Sequence, residues 1–246
     1  MTVVGRQHSG ESQLYWVADN VIRSDFPDVR TALRDPDGLL AIGGDLSPER
    51  LLDAYRRGIF PWYSKGQPIL WWSPNPRYVI EPKDFHVSRS LRKTLRRKPF
   101  RVTFNRAFDQ VVAGCAAPRA ISPGTWITPE MNRAYCRLHE LGHALSVECW
   151  QGKRVAGGLF GVVIGRIFFG ESMFSRAADA SKIALSHLVH EAAARGFRLI
   201  DCQMHSRHLQ RMGAYPMPRD LFTNILKQCC SVESPRDWPV ESPPPS

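Results

Sequence analysis

The stretch FFGESMFSRAADASKIALSHLVHEAAARGFRLIDCQ, residues Phe168–Gln203, decides how this chain folds. A short apolar run, Ile167–Phe169, leads into a polar segment, Gly170–Arg176, that carries one acid, Glu171. That segment is expected to be a loop. A helix should come next. Asp179 or Ser181 can cap its start, and Ile183, Leu185, Leu188, Val189 and Ala192 recur near the 3.6-residue period. Gly196 is placed to stop it in the left-handed conformation. Phe197–Gln203 then reads as a strand. Alternation puts Asp201 and Gln203 on one face and turns Cys202 the other way, into the core. A carboxylate, an amide and a second carboxylate from a neighbouring loop form a candidate polar site. A plain strand-end acid and a solvated loop acid would show the same spacing.

Upstream, Ala144–Trp150 and Val155–Ile164 read as strands joined at Gln151-Gly152-Lys153, and Gly165-Arg166 turns into Ile167–Phe169. The order is an antiparallel meander, then a helix, then a strand. Val102–Val112 looks like a strand entering a helix, and Cys115–Gly124 a loop. Thr128 and Pro129 open another helix, with Met131, Ala134, Tyr135, Leu138 and Leu141 on its apolar face. Nearer the N-terminus, Asp35-Pro36-Asp37-Gly38 is turn chemistry and Leu39–Ile42 a short apolar run. Ser47 and Pro48 start a helix that buries Leu51, Leu52 and Tyr55, and Gly58 closes it. Residues 1–20 look only partly ordered, and the Pro- and Ser-rich end, SPRDWPVESPPPS, reads as a disordered tail. The fold class is therefore α/β (α+β). The tail is expected over 233–246.

A chain of 246 residues suits one large domain or two small ones, and 43% hydrophobic residues can build a substantial core. No run approaches the roughly 20 apolar residues of a membrane span. The N-terminus, MTVVGRQHSGESQ, has no apolar signal core, so a cytoplasmic protein with no membrane partner is expected. None of the six cysteines stands in C-x-x-C spacing, which argues against a zinc site; reduced thiols are the default.

A formal net charge of +10 points to an anionic partner, most often nucleic acid. The charge concentrates in HVSRSLRKTLRRKPFR, where Arg89, Arg92, Lys93, Arg96, Arg97, Lys98 and Arg101 stand without an acid. Ser88 caps a short helix there, Leu91 and Leu95 face inward, and Pro99 ends it. The remaining surface is cationic and suits phosphates, giving affinity and salt sensitivity but little sequence readout. Trp71 or Trp72 belongs in the core. Trp62, between Pro61 and a polar loop, is a candidate exposed ring for base stacking, worth about 1–3 kcal/mol.

His139-Glu140-Leu141-Gly142-His143 matches the zinc pattern H-E-x-x-H. Gly142 is a helix stop and a strand begins at Ala144, so His143 should lie past the last turn, off the face of His139. No metal site is expected.

The blocks FPDVRTALRDPDGLLAIGGDLSPERLLDAYRRGIFPWYSKGQPILWWSPNPR, GTWIT, LHELGHALSVECW, FFGESMFSRAADASKIAL and LIDCQ together resemble the bacterial leucyl/phenylalanyl-tRNA–protein transferases. They stand in the right order and cover most of residues 25–225. The resemblance implies an aminoacyltransferase of the N-degron pathway. It would move leucine or phenylalanine (methionine less well) from aminoacyl-tRNA to the α-amino group of proteins that begin with Arg or Lys, marking them for degradation. It implies a small N-terminal domain, 1–78, beside a GNAT-like acyltransferase domain, 79–232, which the meander–helix–strand order fits. A monomer is expected. Gly170-Glu171-Ser172-Met173-Phe174 stands where acetyltransferases carry a Q/R-x-x-G-x-G/A pyrophosphate loop, so neither acetyl-CoA nor any other cofactor is expected.

Residue by residue, the resemblance puts Asp201 and Gln203 at the family's catalytic acid and amide and Glu171 at the acid of its GESMF motif. Trp62 and Trp126 match aromatics that hold the aminoacylated 3′ adenosine. Leu159, Met173 and Phe174 fall in the substrate pocket, with Leu159 where a well-known relative carries Met. Arg89, Arg92, Lys93, Arg96 and Arg97 match the tRNA-binding cluster. On this basis the Gln203 carbonyl takes a hydrogen bond from the attacking amine, Asp201 orients it and offsets charge developing on nitrogen, and Glu171 holds either the acceptor's cation or a donor amino group. The rivals are a nucleic-acid-binding module with structural acids and a CoA-dependent acetyltransferase.

Overall fold

β-branched and aromatic runs separated by capped helices and tight turns resolve into two sheets. The structure is a computed structural model and describes residues 14–19, 26–117 and 126–243. The expectations for residues 1–13 and for most of the Cys115–Gly124 loop fall outside that range. The small sheet has the order β1-β2-β4-β3, from β1 (Tyr15–Val17), β2 (Leu39–Gly43), β3 (Phe60–Pro61) and β4 (Leu70–Trp72), with helix α1 (Pro48–Arg56) between β2 and β3. The main part contains β5 (Arg77–Ile80), α2 (Arg89–Arg97), β6 (Arg101–Phe104), α3 (Phe108–Ala116), α4 (Pro129–Glu140), β7 (Ala144–Gln151), β8 (Arg154–Ile164) and β9 (Ile167–Ser175). It continues with α5 (Ala180–Ala194), β10 (Leu199–Gln203), α6 (Arg207–Gln210), β11 (Tyr215–Met217) and α7 (Arg219–Cys229). Its seven strands run in the order β11-β5-β10-β9-β8-β7-β6. The fold is mixed α/β. Because β5 begins at Arg77 and pairs with β10, the expected boundary at residue 78 falls inside a strand of the main sheet.

Alternation along the strands sorts the core onto two faces. Neighbours part company: Phe169 and Leu199 join the cluster with Tyr55, Phe108 and Tyr135, while Phe168 and Ile200 join the cluster with Leu91, Leu95, Ile183 and Leu188. The first face carries α1, α3 and α4; the second carries α2 and α5. No described helix is long and apolar enough to cross a membrane.

Three expectations need correction. Gly170–Arg176 is not a loop, since β9 continues to Ser175 in register with β8. Asp179 sits at φ 62° and makes no capping bond; Ser175 Oγ instead accepts from the Ser181 amide at 2.9 Å. The tail is not disordered over its described part. Trp238 stacks on Phe104 with ring centroids 5.7 Å apart and meets Phe197 edge-on at 5.5 Å. The Phe104 amide donates to the Val240 carbonyl and the Ser242 amide to the Val102 carbonyl, so the tail extends the sheet beyond β6. Trp238 supplies aromatic burial that proline-rich composition argued against, and the buried Ser242 adds hydrogen bonds to His187 and Glu191 of α5.

Helix α4 ends at Glu140 and Gly142 takes φ +78°, leaving His143 beyond the last turn. His139 stacks on Phe108 at 4.1 Å and shares a 2.9 Å hydrogen bond between Nδ1 and the Ala144 carbonyl, which gives it a packing role.

Candidate active site

β9 and β10 run parallel but pair only over Ile167–Phe169 and Leu199–Asp201. Beyond Phe169, β9 stays with β8 while β10 ends at Gln203, so the two strands part. The parting starts at a bulge. Gly161 of β8 faces Gly170 and Phe160 faces Ser172, leaving Glu171 as the extra residue. A side chain at Gly161 would put its Cβ 2.2 Å from the Phe169 carbonyl oxygen, so only glycine fits beside this bulge.

The bulge delivers Glu171 to the face covered by α1 and α4. Tyr55 of α1 donates its hydroxyl to Glu171 Oε1 at 2.8 Å, and Tyr135 of α4 donates to Oε2 at 2.6 Å. Gln203 Nε2 donates to Oε1 at 2.9 Å, which leaves the Gln203 carbonyl oxygen as an acceptor. Both tyrosines lie in the apolar stripes read from sequence, but their hydroxyls converge from two separate helices.

Asp201 is fully buried, and its carboxylate is taken up by protein partners. Arg77 grips it bidentately, Nε to Oδ1 at 2.8 Å and Nη2 to Oδ2 at 2.7 Å. Oδ1 also accepts from the Gln203 backbone amide at 2.8 Å. The register shifts between Asp201 and Gln203, and Gln203 takes φ 62°. Simple alternation therefore does not describe this pair. The charge expected to offset a developing ammonium is already matched by Arg77. No local sequence pattern marks Arg77, because its partner lies 124 residues away in the chain.

The parting strands open a cavity of about 280 Å³. Glu171, Asp201, Gln203 and Trp126 line it, and so do Leu159 and Met173. Phe168, Leu185, Ile200, Cys202 and Leu209 add an apolar wall that the sequence pattern marks only as core or helix stripe. Cys202 does point away from Asp201, as alternation requires, but into this wall rather than into closed core. Burial pushes its thiol well above the usual range.

Two expected substrate-binding residues, Phe174 and the adenosine-holding candidate Trp62, do not line this cavity. Phe174 packs over Gly114 of α3, so close that a Cβ there would sit 2.4 Å from the ring, with the Arg176 guanidinium on its face at 5.0 Å. Its alternation partner Met173 took the cavity side. Trp62 does not line the cavity; the residue is 40% exposed and its ring stands edge-on to Trp72 at 5.6 Å. Tyr63 and Thr128 share a 3.3 Å hydroxyl contact that ties the segments carrying Trp62 and Trp126 together. Trp71 is the buried core indole. On α2, Arg89, Arg92, Lys93, Arg96 and Arg97 are all exposed, Leu91 and Leu95 are buried, and Ser88 Oγ accepts from the Leu91 amide.

An apolar wall, an amide whose carbonyl has no partner among the described residues and a buried carboxylate suit an amphipathic acyl group meeting an amine. Residues 79–227 match the family model described as leucyl/phenylalanyl-tRNA protein transferase, and residues 44–75 match the model of that protein's N-terminal domain. The chain belongs to the leucyl/phenylalanyl-tRNA–protein transferases. Relatives of that name are 57% identical in Cellvibrio japonicus (88% of this chain, 91% of the relative), 54% in an Azoarcus species (94% and 93%) and 52% in Pseudomonas fluorescens (92% and 99%).

In this transferase, burial is the main force on Glu171. It outweighs the hydrogen bonds from Tyr135 and Tyr55, and with Asp201 nearby it raises the carboxyl from an ordinary 4.5 to about 7. A raised folded-state pKa means the native protein binds that proton more tightly than the unfolded chain. Its stabilising effect is complete below about pH 4.5 and is lost as pH rises toward 7. Relative to Glu171→Gln, the native protein should lose about 1 kcal/mol per pH unit across that window. Urea unfolding at stepped pH checks this; parallel curves for the two proteins would contradict it.

Proposed function

We propose that the enzyme moves leucine or phenylalanine, and methionine less well, from aminoacyl-tRNA to proteins that begin with Arg or Lys. It acts as a cytoplasmic monomer and marks these proteins for degradation. The observation that carries this reading is the Gln203 amide, which lines a largely apolar cavity with its nitrogen on Glu171 and its carbonyl without a partner among the described residues. The acyl side chain enters between Leu159, Met173, Leu185 and Cys202. The acceptor α-amine, with an ordinary pKa of about 7.7–8.0, is partly neutral near pH 7 and attacks the ester carbonyl carbon. An amide bond forms, the ester C–O bond breaks, and the amine's proton passes to the departing ribose oxygen. No covalent enzyme intermediate and no cofactor are needed. Gln203 Oε1 accepts from the amine and aligns it, so most of the acceleration comes from placement. Asp201 acts through Gln203. Glu171, the cavity carboxylate not gripped by an arginine, faces the acceptor's cation. Trp62 and Trp126 hold the terminal adenosine, and the α2 cations bind the tRNA backbone.

Transfer of radiolabelled phenylalanine from Phe-tRNA to short peptides tests this. Peptides beginning with Arg or Lys should be labelled, and one beginning with citrulline, the neutral shape-mimic of arginine, should be labelled ~10-fold or more slowly. Glu171→Gln should narrow that difference. Equal labelling of all three would remove the charge-based acceptor assignment, and no labelling would leave only a binding role.

A further inference from the structure

Arg77 opens β5 at the seam between the two sheets and is 1% exposed. Besides its two bonds to Asp201, its Nη1 donates to the Gly58 carbonyl just beyond α1 at 3.3 Å. The rings of Phe60 and Phe222 lie 4.6 and 5.0 Å from its guanidinium carbon. A buried ion pair adds little net stability, because desolvation offsets its attraction. Its geometric consequence is larger. The Asp201 oxygen held by Arg77 Nε is the one that accepts from the Gln203 amide, and Gln203 sits in a left-handed conformation that non-glycine residues seldom adopt without support. From that turn its side chain reaches Glu171.

We infer that Arg77 is a positioning residue for the transfer reaction: its fork fixes the Asp201 carboxylate, which locks the Gln203 backbone in the turn that aims the Gln203 amide at Glu171 and the incoming amine. This rests on the assignment of Gln203 to the amine given above. Arg77 itself does not line the cavity. It is held by Gly58 and Phe60 of the small domain and Phe222 of α7, so those elements help set the angle of an amide on the main sheet.

The same pair sets the field at Glu171. Facing that carboxyl are Tyr55 from α1, Tyr135 from α4, Asp201 and Gln203 from β10, and Arg77 from β5. Asp201 and Arg77 push its proton affinity in opposite directions, so removing one should shift it one way and removing the other the opposite way. A residue that merely filled space would not produce that sign pattern.

The test uses the full chain and measures single-turnover transfer from saturating Phe-tRNA to an Arg-starting peptide across pH. The variants are Arg77→Lys, Arg77→Met, Asp201→Asn, the Arg77→Met/Asp201→Asn double and Gln203→Ala. A lysine keeps the charge but cannot grip both oxygens, so Arg77→Lys should be ~10- to 100-fold slower with an unchanged half-saturating Phe-tRNA concentration. The limb of the profile that Glu171→Gln abolishes should move to higher pH in Arg77→Met and to lower pH in Asp201→Asn, and return in the double. If Arg77→Met does not fold, Arg77→Lys, Asp201→Asn and the neutral double carry the comparison. The inference is overturned if Arg77→Lys transfers at the native rate while Gln203→Ala is slow, or if both single charge losses move the limb the same way. A native rate in Gln203→Ala would instead remove the assignment on which it rests.

Discussion

Gln203→Ala should slow single-turnover transfer of phenylalanine by ~10²- to 10³-fold, the loss typical of a pre-aimed hydrogen-bonding group at a reacting centre. Affinity for Phe-tRNA should hold within about twofold, because the proposed role of the group is to meet the amine and not the nucleic acid. The Gln203 side chain lines the cavity and is held through its nitrogen by the 2.9 Å bond to Glu171, and its oxygen has no partner among the described residues. Alanine removes that acceptor while leaving the backbone bond to Asp201 in place. Asp201→Asn should cost less. An asparagine oxygen still accepts from the Gln203 amide, although Arg77 loses its counter-charge. Rapid-quench transfer at saturating tRNA, with binding measured separately, distinguishes the two effects. A Gln203→Ala enzyme that turns over normally but binds tRNA poorly would invert the assignment.

What the sequence disclosed is what local rules govern. The meander β7–β8, helix α5 stopped by Gly196, and helix α2 with Leu91 and Leu95 inward all follow from period, caps and breakers, and the structure agrees. The site was only half legible for the same reason. Glu171 looked like a loop acid because Gly170, Ser172 and Ser175 are poor strand formers. The far half of β9 tolerates them because it pairs on one side only and borders a cavity on the other. Asp201 and Gln203 lie together, but through a bulge and a left-handed turn that a two-residue period cannot foresee. Arg77 reaches Asp201 across 124 residues, and Tyr135 reaches Glu171 across 36. No window of local pattern contains such pairs.

Phe174 and the tail illustrate complementary errors. A motif carries neighbouring residues along together, yet in a strand Met173 and Phe174 must face opposite ways, and only Met173 borders the cavity. Composition averaged over 233–246 hid Trp238, whose ring binds the tail to Phe104 and Phe197.

Reversing Arg89, Arg92 and Arg96 to glutamate should weaken Phe-tRNA binding by ~10²- to 10³-fold at physiological salt and reduce the slope of log affinity against log salt by about 2–3. The three lie at i, i+3 and i+7 on exposed helix surface, opposite the buried Leu91 and Leu95. No described acid forms a salt bridge with any of them, so their charge is available to phosphates. Because these side chains lie outside the core, the melting temperature should stay close to that of the native enzyme. At saturating tRNA the single-turnover rate should also be preserved, the reverse of the Gln203→Ala pattern. Filter binding over a salt series, paired with the transfer assay, separates a phosphate-binding helix from a merely solvated one. In the solvated case, affinity and salt slope would both match the native enzyme, and the +10 charge of the chain would need another outlet on its surface.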